Sequence, residues 1–66
     1  MKLTINGETR TVDGPMTVHG LLDHLDLPVA KIAVERNLEI VPRSLFAETD
    51  LADGDRLEIV HFIGGG

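Results

Sequence analysis

Only one stretch of this chain has the apolar spacing of a helix, and that limits the architectures open to it. Val18, Leu21, Leu22 and Leu25 fall at i, i+3, i+4 and i+7 and form a single apolar stripe. Thr17 precedes the stripe as a capping residue. Pro28 follows it and is expected to stop the helix by pushing Leu27 out of the α region. Gly20 inside the stripe lowers its intrinsic propensity.

The rest of the chain is patterned for strands and turns. Leu3 and Ile5 alternate with Lys2 and Thr4 over residues 1–6. Asn6-Gly7 is a hairpin turn signal, and residues 8–12 supply the returning strand, with Thr9, Thr11 and Val12 suited to a pleated surface. Residues 31–36 are expected to form a third strand, with Ile32 and Val34 on one face. After a turn at Asn37-Leu38 comes a short strand, Glu39-Ile40-Val41, ended by Pro42 at a sheet edge. Residues 44–48 allow one helical turn that buries Leu45 or Phe46. Asp53-Gly54-Asp55 turns the chain into a last strand over residues 56–63. One helix among such strands can cover only one face of one sheet, which makes an α+β roll.

Sixty-six residues make one domain at most, and a core of that size supplies a net stability of roughly 3–5 kcal/mol. With no cysteine, neither disulfides nor thiolate metal sites can assist. The core must therefore come from Leu, Ile, Val and Ala, because Phe46 and Phe62 are the only aromatic residues. The missing cysteine fits a reducing cytoplasm. There is no signal-peptide pattern and no apolar run that could span a membrane. Eleven acidic residues stand against six dispersed basic ones, a net charge of −5. Clustered cations for a phosphate backbone are thus lacking, and a nucleic-acid partner is not expected. A basic protein surface would suit this charge, although solubility alone also accounts for it.

The last three residues, Gly64, Gly65 and Gly66, bury no side chain and lose the most entropy if ordered. Such residues are useful where a backbone must pass through a narrow space. The segment from Ile63 to Gly66 reaches about 13–14 Å when extended, enough to thread a carboxylate into a partner's buried site. A carboxylate is a poor electrophile until converted to an acyl adenylate. The partner would supply the Mg²⁺ and phosphate-binding groups for that step. Sulfide or an amine could then attack the unhindered glycyl carbonyl. The parity of the last strand places Leu57, Ile59, His61 and Ile63 on one side. Val60 and Phe62 lie on the other, where they would form an apolar docking patch beside the tail.

Four segments resemble a known family. They are Thr17-Val18-His19-Gly20-Leu21-Leu22; Val34-Glu35-Arg36-Asn37 with Ile40-Val41-Pro42-Arg43; Asp53-Gly54-Asp55 with Leu57-Glu58-Ile59-Val60; and His61-Phe62-Ile63-Gly64-Gly65-Gly66. Together they resemble the ubiquitin-like β-grasp fold, and within it the ThiS family of bacterial sulfur carriers of thiamine biosynthesis. The resemblance implies a mixed sheet of about five strands with one helix on one face. Residues 1–63 would be the domain and residues 64–66 a flexible tail. It implies a protein co-substrate rather than an enzyme, without a stably bound cofactor. A ubiquitin-activating-like adenylyltransferase would use ATP to adenylate Gly66. Sulfur from a cysteine desulfurase or persulfide donor would make a thiocarboxylate, and a thiazole synthase would take the sulfur. Gly64 and Gly65 would thread into these partners. Molybdopterin, another sulfur metabolite, or protein conjugation are alternative destinations, and a β-grasp binding module is an alternative of another class.

Smaller signals are weighed as surface or packing features. His19 and Asp23 are spaced i, i+4 with His24 beside them, but two ligands do not make a structural metal site, and no metal is expected. His61 is expected as a packed or edge histidine. Arg36 and Arg43 flank the central hairpin, either as solvated residues or as contacts to acids on a partner.

Overall fold

The computed structural model describes residues 1–62. Five strands and one helix follow in the order β1 (Lys2–Ile5), β2 (Glu8–Thr11), α1 (Val18–His24), β3 (Ile32–Arg36), β4 (Glu39–Val41) and β5 (Arg56–His61). Short 3₁₀ turns lie at Val29–Lys31 and Arg43–Leu45. The sheet order is β2-β1-β5-β3-β4. β1 and β5 run parallel at its centre, and every other neighbouring pair is antiparallel.

Local chemistry accounts for most boundaries. Asn6 and Gly7 take φ of 50° and 84°, the left-handed pair that a two-residue hairpin needs. Thr17 accepts the Gly20 N–H on its Oγ1 at 3.1 Å and caps α1. The helix ends at His24, four positions before Pro28 and earlier than expected. Asp26 turns to φ 63°, its N–H donates to the Asp23 carbonyl, and the Leu27 N–H donates to the Leu22 carbonyl. This is a Schellman closure with Asp in the position usually held by Gly. Pro28 instead opens the following 3₁₀ turn.

The helix lays Val18, Leu21 and Leu22 on one face of the sheet, where Leu3, Ile5, Ile32, Val34 and Leu57 meet them. Phe46 and Leu51 close the end of this core, and Leu22 is completely buried. The turn after β4 buries Phe46 and leaves Leu45 exposed. The strand parity fits this packing: Leu57 is buried and Val60 exposed. Among the described residues, the opposite face of the sheet carries no helix.

Candidate functional site

β5 carries the chain toward residues 63–66, and its position is held from both ends. At its start, Asp55 is buried. Its Oδ2 accepts from Arg36 Nε at 2.8 Å and from the Ala52 backbone N–H at 2.8 Å. Its Oδ1 accepts from Asn37 Nδ2 at 3.1 Å. Burial pushes the Asp55 carboxyl up, but the bonds from Arg36, Ala52 and Asn37 outweigh it and hold the group below the ordinary carboxylate value. Arg36 is thus committed to an intramolecular ion pair, which replaces both readings the sequence left open for it.

Beyond Leu57 the β1 backbone no longer pairs with β5. The Asn6 side chain continues the ladder: its Oδ1 accepts the Ile59 N–H at 2.7 Å and its Nδ2 donates to the Ile59 carbonyl at 3.1 Å. On the other side, β3 pairs with β5 from Arg36–Leu57 to Ile32–His61, and the Phe62 N–H donates to the Lys31 carbonyl. The strand is therefore held in register as far as Phe62.

Val60 and Phe62 emerge on the open face, at 58% and 37% exposure. Arg43 lies over the Phe62 ring with its guanidinium carbon 6.0 Å from the centroid, within cation–π range. Arg43 thereby steadies the ring, a contact the sequence pattern did not show. Ile40 on β4 is also exposed, and Leu38 at the hairpin tip more so. This gives an apolar face that approaches the end of β5. His61 lies on the helix side of the sheet, yet it is exposed and not packed. It rims a groove floored by Ile5, Ile32 and Ile59. His19, Asp23 and His24 are exposed on the helix. Gly64, Gly65 and Gly66 lie outside the described residues.

A five-strand mixed sheet with parallel central strands, crossed on one face by a single helix, defines a ubiquitin-like β-grasp protein. A crystal structure of the thiamine biosynthesis protein ThiS from Geobacter metallireducens superposes with a TM-score of 0.86, at 40% identity over the whole of both chains. The family model for ThiS matches residues 3–66, and the chain belongs to the ThiS family. The sulfur carrier protein ThiS of Escherichia coli (strain K12) is 35% identical over the full length of both chains. A thiazole synthase of Paramagnetospirillum magneticum is 59% identical over all 66 residues, but the chain spans only 20% of that protein's length.

Proposed function

We propose that this protein is a cytoplasmic sulfur carrier of thiamine thiazole biosynthesis, and that its working group is the carboxylate of Gly66. The observation that carries the reading is the full-length match to the E. coli sulfur carrier, which runs through the terminal glycines. The structure supports it through a fixed β5 that delivers Val60 and Phe62 to an open face next to the tail. In this reading residues 1–63 are the recognised domain, and Gly64 and Gly65 thread Gly66 into the partner's site.

The chemistry belongs to the partners. A ubiquitin-activating-like adenylyltransferase binds ATP and Mg²⁺, and the Gly66 carboxylate attacks the α-phosphate, releasing pyrophosphate. The sulfur comes from a cysteine desulfurase or persulfide donor. Sulfide from the donor attacks the carbonyl, AMP leaves and the thiocarboxylate forms directly. A donor persulfide instead forms an acyl disulfide, whose S–S bond a second thiol cleaves, leaving a disulfide with the donor and releasing the thiocarboxylate. A thiazole synthase consumes the resulting thiocarboxylate. The match to one segment of a thiazole synthase supports that enzyme as the acceptor, since a single polypeptide there joins a similar domain to the synthase name. The carrier itself turns over no substrate.

Reconstitution tests the reading. With the adenylyltransferase, the wild-type chain is expected to support ATP–pyrophosphate exchange and, with donor and thiazole synthase, thiazole formation. Exchange without thiazole, together with sulfur delivery to molybdopterin or conjugation to proteins, would overturn the thiazole assignment.

A further inference from the structure

The open face of the sheet holds a feature that neither the core nor the tail requires. Glu35 on β3 and Glu58 on β5 are registered directly opposite each other. The Asn37 N–H donates to the Arg56 carbonyl and the Phe62 N–H to the Lys31 carbonyl. By the alternation of the ladder, Glu35 and Glu58 then also form a hydrogen-bonded pair, with Cα atoms about 5.5 Å apart. Like charges placed so are unfavourable. Neither carboxylate has a hydrogen-bond or ion-pair partner among the described residues. Arg56, two residues before Glu58 on the same face, makes no ion pair with it. The two residues line a notch of about 140 Å³ whose other walls are Ala33, Val34, Ile40 and Val60. A charge kept only for solubility needs no apolar walls.

We propose that this notch receives an arginine side chain of the protein that docks on Val60 and Phe62. The planar guanidinium offers a donor edge to each carboxylate, which would relieve their repulsion. It is weakly hydrated, so it tolerates the walls formed by Ile40 and Val60. The notch adjoins Val60, so one partner surface covers both. Docking is thus registered by charge at Glu35 and Glu58 and by apolar contact at Val60 and Phe62. The occupant rests on the proposed carrier reading, whereas the affinity of the notch for a guanidinium does not.

Two measurements test it. First, the ¹⁵N-labelled chain is titrated at low ionic strength with N-acetylarginine amide and with its uncharged isostere N-acetylcitrulline amide. Arginine should shift the amides of Ala33, Glu35, Ile40, Glu58 and Val60. Citrulline, and arginine with the E35Q/E58Q double variant, should not. Equal shifts from both compounds, no shifts from either, or shifts centred elsewhere would overturn the notch. Second, E35Q/E58Q is expected to bind the adenylyltransferase at least about tenfold more weakly than wild type, while its thermal midpoint is unchanged or raised. Wild-type affinity in the double variant, or a lowered midpoint that accounts for the loss, would refute the docking role. A dimer of the chain alone that buries the notch would do the same. If the wild type fails to bind that enzyme, the carrier reading falls and the arginine titration alone decides the notch.

Discussion

Replacing Asp55 by Asn keeps the shape of the side chain and removes its charge, so the structure can say what is lost. Three donors converge on this carboxylate: Arg36 Nε, the Ala52 N–H and Asn37 Nδ2. An Asn side chain has one acceptor oxygen. Placed where Oδ2 now sits, it keeps Arg36 and Ala52, and its NH₂ then faces the NH₂ of Asn37. Asn37 cannot turn over to help, because its Oδ1 accepts the Arg56 N–H at 3.0 Å. One hydrogen bond is lost outright, and the contact with Arg36 changes from an ion pair to a hydrogen bond with a neutral acceptor. At about 1 kcal/mol for each change, the cost is roughly 2 kcal/mol. A domain of this size has roughly 3–5 kcal/mol to lose. At 4–8 °C per kcal/mol, the thermal midpoint at neutral pH should fall by about 10 °C.

The pH dependence supplies a second readout. The folded value of the Asp55 carboxyl lies below the unfolded one. Its stabilisation is therefore fully present above the unfolded Asp value of about 3.9 and is lost as pH falls through the folded value. Circular-dichroism melts of wild type and D55N should thus show a gap at neutral pH that narrows in acid below about pH 4. A gap under about 0.5 kcal/mol at neutral pH, a size typical of unremarkable surface changes, would show that the Asp55 carboxylate does not hold the start of β5, as would a gap unchanged in acid.

Two further outcomes are expected. Leu38 sits at φ 72° at the hairpin tip with 89% of its surface exposed, so Leu38→Gly should stabilise the isolated chain by about 1 kcal/mol in denaturant titration. Phe62→Ala should cost the fold no more than about 1 kcal/mol, the worth of its exposed contact with Arg43, yet weaken adenylyltransferase binding measured by calorimetry.

What the sequence displayed were the features written in neighbouring residues. Alternation in β1 and β5, Asn6-Gly7, the Thr17 cap and the stripe from Val18 to Leu22 each carry their own signal within a few positions. The parity of β5 was enough to put Val60 and Phe62 on the open face. What the pattern concealed depends on residues brought together from a distance. Asp55 looks like an ordinary turn acid until Arg36 and Asn37 reach it across 19 and 18 positions. Asn6 looks like a turn residue only, although its side chain prolongs the ladder to Ile59, 53 positions on. The early helix stop depends on Asp26 taking a positive φ, which a non-glycine residue does not announce. The exposure of His61 depends on which elements cover that end of β5, which alternation along β5 does not encode. The pairing of Glu35 with Glu58 needs the β3–β5 register, a long-range fact.

Intact mass reads directly whether sulfur is carried on the carboxyl of Gly66. The chain is incubated with ATP, Mg²⁺, the adenylyltransferase and a sulfur donor, then weighed. The exchange of one oxygen for one sulfur is expected, absent from a variant lacking Gly66 and absent without ATP. An unchanged mass with an adenylyltransferase shown to be active, or sulfur that persists after Gly66 is removed, would contradict it.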